Sequence, residues 1–149
     1  MTESQPYVQV DRNGLEVLGR AECLQLLGRS MLGRIAITYR ALPLILPINF
    51  RLLDEQIVFR TGVGTKLDAA AVNAVVAFEV DDMDPMTHTG WSVLVTGLAS
   101  EVTTPSARAR LDQAQIPYWA PAEGDRLVEI STDMISGRRI VPATHTTTH

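Results

Sequence analysis

Apolar positions in this chain recur mostly at a period of two, in short runs separated by polar or glycine-bearing breaks, which is the pattern of half-buried strands. GRIAITYR (33–40), LPLILPINFRLL (42–53) and QIVFR (56–60) predict three strands joined by turns at Ala41 and at Asp54-Glu55, an antiparallel meander. Pro43 and Pro47 each lack a ladder donor, so the second of these strands is expected at an edge, at a bulge, or with one backbone face against something other than a strand. AVVAFEVDD (74–82) sets Val76, Phe78 and Val80 against Ala77, Glu79 and Asp81, a half-buried strand. WSVLVTGLASEV (91–102) predicts a long strand with a bulge or barrel bend at Gly97. Residues 126–130 and 135–141 predict two short closing strands, the second containing Ser136-Gly137.

Helical spacing is confined to three short stretches. Cys23, Leu26 and Leu27 place one face of a helix on Arg20 to about Gly28, expected to plug one end of a sheet. Lys66-Leu67-Asp68-Ala69-Ala70-Ala71 has high helix propensity after a glycine-rich turn. Thr104 and Pro105 read as N-cap and first helical residue, with Ala107, Leu111 and Ala114 on one face and an end near Ile116-Pro117. Six or seven strands and two or three short helices imply a mainly β (α+β) fold, a small closed or half-closed antiparallel barrel with helices at its ends. Residues 1–142 are expected to form one domain, and the polar stretch 143–149 a disordered tail.

The stretch from Gln56 to Val72, strand to glycine-rich turn to helix, carries the strongest chemical signal. Lys66 is the only lysine among 13 basic residues. Free N–H groups at the helix start, with Arg60, Lys66 and the hydroxyls of Thr61 and Thr65 around them, would suit an anion, phosphate above all. An ordinary hairpin exit with a solvated lysine explains the same residues, and GVGTK has the spacing of neither a nucleotide P-loop nor a dinucleotide fingerprint.

Composition narrows the classes. The formal net charge of −4, without a basic run or a basic stripe with interleaved aromatics, argues against nucleic acid. A single cysteine, Cys23, fits a reducing compartment, and neither a leader pattern nor an apolar run of spanning length is visible, so a cytoplasmic protein without membrane contact is expected. No nucleophile motif pairs a serine or cysteine with a histidine. His88 is read in a loop, His145 and His149 in the tail, and no metal site is expected. Asp81, Asp82 and Asp84 read as a solvated strand end.

The ordered series GRIAIT, LPLILPINF, VFRTGVGTK, VAFEVDD, GWSVLVTG and SGRRI, from about Ala21 to Val141, resembles the pyridoxamine 5′-phosphate oxidase-like family of flavin-binding split β-barrels. That resemblance implies an FMN-binding antiparallel split barrel, a homodimer with the flavin at the interface, and hydride transfer to or from a small-molecule substrate. It places Arg60 and Thr61 where strand-end residues of the family bind flavin, Thr65 and Lys66 on the phosphate, and Leu44 to Asn49, with Pro47, Ile48 and Asn49, along the ring. Ser92 falls where a strand glutamine of the family reaches the flavin, with Trp91 beside it as a ring neighbour or a core aromatic. Trp119 and Arg138 or Arg139 are then expected to reach the partner's flavin, or to be a rim aromatic and a solvated strand end.

Two departures bear on activity. Leu44 and Asn49 stand where the vitamin oxidases carry an arginine and a lysine, and SGRRIVPATH has no histidine at the spacing those enzymes use for substrate, so vitamin B6 oxidation is not implied. No catalytic side chain is assigned. Relatives that use coenzyme F420 or bind haem make deazaflavin the alternative cofactor, and a non-catalytic flavin-binding or storage module the alternative class.

Overall fold

The computed structural model describes residues 8–116 and 125–140. In chain order the elements are β1 (Glu16–Leu18), α1 (Arg20–Gly28), β2 (Leu32–Tyr39), β3 (Leu42–Asn49), β4 (Arg51–Leu53), β5 (Gln56–Gly62), α2 (Lys66–Ala71), β6 (Val75–Asp84), β7 (Thr89–Glu101), α3 (Pro105–Gln113), β8 (Asp125–Ser131) and β9 (Met134–Ile140). The strands pair antiparallel in the order β3-β2-β6-β7-β8-β5-β4, with β9 on β7 and β1 on β9. This is the mainly β barrel expected from the patterning, in the antiparallel split form that the resemblance implies. The strand β1 had no signal of its own, since three residues cannot display a period. None of the helices among the described residues is long and apolar enough to cross a membrane.

The expected meander is replaced by two hairpins. β2 pairs with β3 and β4 with β5, but β3 and β4 lie at opposite ends of the strand order, so the run 42–53 is two strands rather than one. The break falls at Phe50, which is fully buried, donates its N–H to the Met31 carbonyl at 3.0 Å, and packs edge-on against Phe78 with ring centroids 4.8 Å apart. A core aromatic therefore carries the chain across the barrel seam. Each hairpin turns on two residues at positive φ, Arg40 (50°) with Ala41 (64°), and Asp54 (50°) with Glu55 (61°). These are the angles that match the strand twist, held here without glycine or asparagine.

The prolines of β3 follow from this turn. With Tyr39 and Leu42 as the hydrogen-bonded pair flanking a two-residue turn, Thr38–Pro43 and Arg34–Pro47 fall at non-hydrogen-bonded pairs. The missing N–H groups thus point away from β2, to the outer edge of the sheet, where the order places β3. Ile45 and Asn49 share that register and turn their amides to the same edge.

Leu44, Leu46 and Ile48 of β3 join a main core built from Ile35, Ile37, Phe59, Phe78, Val93, Val95 and Ile130, with Cys23, Leu26 and Leu27 of α1 closing one side. A smaller core of Val58, Val102, Leu111, Ile116 and Leu127 lies between α3 and the other face of β5 and β8. Gly33 is needed where β2 crosses Phe78, since a β-carbon there would stand 2.2 Å from the ring. Replacing Gly33 by alanine should therefore cost about 1–3 kcal/mol by overpacking, read as a lowered urea midpoint; an unchanged midpoint would show that the ring can move aside.

Candidate functional site

The turn after β5 is tied down from within. Thr65 is the N-cap of α2: its hydroxyl accepts from the Asp68 amide at 3.1 Å and donates to the Gly62 carbonyl at 2.8 Å. Asp68, largely buried, accepts from the Gly64 N–H at 2.9 Å and from the Thr61 hydroxyl at 3.2 Å, and its other contact is Arg126 Nε at 2.9 Å. This narrows the expected cradle of free N–H groups, since the Gly64, Thr65 and Asp68 amides are already bonded. The carboxylate of Asp68 takes the Gly64 donor, and α2, with six residues, offers little further N-terminal field.

What the turn presents outward is side-chain charge. Lys66 is exposed, and its Nζ lies 5.9 Å from the Tyr39 ring centroid, while the Arg40 guanidinium carbon lies 5.1 Å from the same centroid. Tyr39 and Arg40 were missed in the sequence, where YRAL showed only a strand end and a turn. The packing of α2 on β2 brings them to Lys66. Thr61, Thr65 and Lys66 are thus gathered on one side of β5.

Arg60 is not with them. Successive residues of a strand face opposite ways, and Arg60 points to the α3 side, where it donates to Asp112 at 2.8 Å and to Asp125, with Arg108 reaching Asp125 at 3.1 Å. Its place is an ion-pair network that clamps α3 to β5 and β8. Arg139 is likewise engaged in its own chain, 3.0 Å from Glu22 and 3.5 Å from Glu16, fastening β9 to α1 and β1. Arg138 donates to Asp11 at 3.0 Å. Trp119 lies outside the described residues.

Trp91 and Ser92 stand at the other end of the barrel. Trp91 packs partly on the main core and borders a cleft of about 500 Å³ with Leu26, Arg29, Met31, Leu32 and Asp82. A second hollow of about 180 Å³ lies between Trp91, Ser92, Asp81 and Arg138. Leu32, on that cleft, is seven residues along β2 from Tyr39, so within one chain the Lys66 cluster and Trp91 are separated by about 20 Å at about 3.3 Å per residue. Pro47 lies between them on the outer face, Asn49 lies opposite Leu32 at the Trp91 end, and Ile48 turns its side chain into the core.

That outer face carries a further constellation that alternation had marked only as a solvated strand end. Arg34 lies 2.9 Å from Asp81 and 3.6 Å from Glu79, and Glu79 Oε1 is buried without a hydrogen-bond partner. Burial first, and the neighbouring Asp81 second, push the Glu79 carboxyl up to about 7, with Arg34 offsetting only part. Asp81 is held below its ordinary range by the proton-bearing Glu79 and by Arg34. Among the described residues, no group of three or more His, Cys, Asp or Glu side chains could hold a metal ion.

A family model described as pyridoxamine 5′-phosphate oxidase matches residues 19–139. The uncharacterized protein Rv0080 of Mycobacterium tuberculosis is 39% identical over 134 residues, 87% of this chain and 88% of that protein. The structure of the FAD binding protein from Mycobacterium smegmatis is similar with a TM-score of 0.74 at 38% identity, covering 84% of this chain and 99% of that one. A conserved protein of unknown function from Corynebacterium diphtheriae gives 0.70 at 27% identity, covering 85% and 98%.

Two outcomes follow from the geometry. Arg60→Ala should lower stability by about 1–3 kcal/mol, because it strips a largely buried cation from two carboxylates, whereas Lys66→Ala should leave the thermal midpoint nearly unchanged; the reverse order would contradict the placement of these two side chains. Glu79 keeps a proton in the folded chain that the unfolded chain releases between its ordinary 4.5 and about 7. Stability attributable to it is therefore full below that window and lost as pH rises through it. Glu79→Gln should flatten this part of the urea-midpoint profile, and superimposable profiles would refute the assignment.

Proposed function

This chain belongs to the pyridoxamine 5′-phosphate oxidase-like family, and we propose that it binds a flavin nucleotide and works as a flavin-dependent oxidoreductase on a small-molecule substrate. The observation that carries the flavin is the likeness to the Mycobacterium smegmatis FAD binding protein along nearly the whole of that protein. The donor set beside α2 fits such a group: Lys66 and Arg40 offer positive charge, and no carboxylate among the described residues is paired with either. The riboflavin phosphate, shared by FMN and FAD, would be taken by Lys66.

A bound flavin supplies hydride transfer. The chain's part is to hold and orient it. The outer edge of β3, with the Ile45 and Asn49 amides and the carbonyls of Pro43 and Pro47, offers backbone groups to the polar rim of a ring while the prolines keep another strand from adding there. No acid–base pair is required of the protein for this chemistry.

A second copy of the chain completes this reading. Leu32, Ile45, Val75, Leu94, Leu98 and Met134 are exposed on the outer sheet face, beside the small residues Ala36 and Ala77. A two-fold dimer over that face would cover them. It would also bring the Trp91 and Ser92 end of one barrel toward the Lys66 end of the other, which the separation of about 20 Å along a strand prevents within one chain.

Purified protein should be yellow or take up flavin, and its colour should bleach under reduced nicotinamide and return in air. The mass of the released cofactor separates FMN, FAD and deazaflavin. Failure to take up any flavin would remove this reading, and bound flavin that no donor or acceptor turns over would leave a binding module. Sedimentation should give twice the chain mass of 16.3 kDa; a monomer that still holds flavin tightly would remove the shared site.

A further inference from the structure

Arg40 and Lys66 reach one aromatic ring from two different elements, the β2–β3 turn and the start of α2. The chain is acidic overall, and most of its arginines are already committed: besides Arg20 and Arg110, Arg34, Arg60, Arg108, Arg126, Arg138 and Arg139 each lie against a carboxylate. Among the described residues, neither Arg40 nor Lys66 has such a partner. Two cations over one ring repel each other, and the attraction of the ring face for each offsets that only in part. An anion shared between them removes the conflict.

The turn itself adds a second observation. Arg40 and Ala41 both hold positive φ, a conformation that glycine or asparagine adopts far more readily than arginine. An arginine is thus carried at the tip of the hairpin against local preference. The Asp54-Glu55 turn holds the same angles, so the conformation belongs to the two-residue turn, and what is particular to Arg40 is that the turn displays it beside Lys66 over one ring.

The two cations differ in what they grip. Lys66, a compact point charge at the start of α2, is sufficient for one phosphate. The guanidinium of Arg40 is a planar fork suited to two oxygens of a phosphate of its own. A monophosphate concentrates its charge on one phosphorus, whereas a diphosphate presents one charge on each of two neighbouring phosphates, which matches two cations on separate elements. We propose, resting on the flavin reading above, that Arg40 grips the second phosphate of the cofactor, so that the site selects the dinucleotide FAD over FMN.

The test is calorimetric titration of the cofactor-free full-length chain with FAD and with FMN, in wild type, Arg40→Asn and Lys66→Ala. Asparagine tolerates positive φ, so the first variant should melt at or above the wild-type temperature. Wild type should bind FAD about tenfold or more tighter than FMN, the scale of one charge-assisted contact. Arg40→Asn should erase that gap by weakening FAD about tenfold or more while FMN stays within about twofold, and Lys66→Ala should weaken both. Equal losses of FAD and FMN in Arg40→Asn, or no loss of either, would overturn the second-phosphate role while leaving flavin binding intact. Wild-type protein that binds neither would instead bring down the flavin reading, and this inference with it.

Discussion

At Gly97 the backbone of β7 passes so close to the Ser131 carbonyl that a β-carbon would stand 2.6 Å from that oxygen. Through this approach a thirteen-residue strand exchanges β9 for β8 on one edge while β6 keeps the other. Because β7 belongs to both halves of the barrel, β8 and β5 are swung round toward β3, and the sheet nearly closes on itself. The seam left between β3 and β4 is crossed by the chain at Phe50, whose ring is held against Phe78 by the gap that Gly33 leaves. Closure in this way brings α2, carried on the end of β5, against the far end of β2.

That meeting determines which charges are free. On the α3 side, Arg60 and Arg108 neutralise Asp112 and Asp125; below α2, Arg126 neutralises Asp68 and Glu101; at the far edge, Arg139 joins Glu16 and Glu22. Partly buried carboxylates of this kind need partners to offset their desolvation, and the arginines supply them. Lys66 and Arg40 stand outside these networks, on an exposed rim, where charge remains available to a ligand. The same division explains why the chain can be acidic overall and still offer a local positive site.

The outer sheet face follows a different rule. Exposed Leu32, Ile45, Leu94 and Met134 surround Arg34, Glu79 and Asp81, so a face that is apolar in part also carries a carboxyl whose proton is retained to about 7. Covering such a face would remove still more water from Glu79 and strengthen its hold on that proton. Association over it would then be linked to proton uptake.

Much of this was legible in the order of residues. Period-two alternation in 33–40, 74–82 and 91–102, Gly97 within the longest strand, the prolines of 42–49 and Pro105 at the start of α3 express local rules: side chains alternate, proline lacks a donor, and proline suits the first turn of a helix. Such rules act over a few residues, and most of the strands and the mainly β class could be read from them. The grouping of Arg60 with Thr61 around the turn does not hold, since neighbours on a strand face opposite ways and Arg60 turns to α3. Other features depend on which segments meet. That 42–53 breaks at Phe50, that Asp68 takes the Gly64 amide, that Arg60 is claimed by Asp112 and Asp125, and that Tyr39 and Arg40 come to Lys66 are outcomes of contacts between residues far apart in the chain. A charged side chain is free or spent according to what tertiary packing places beside it, and no local pattern carries that information.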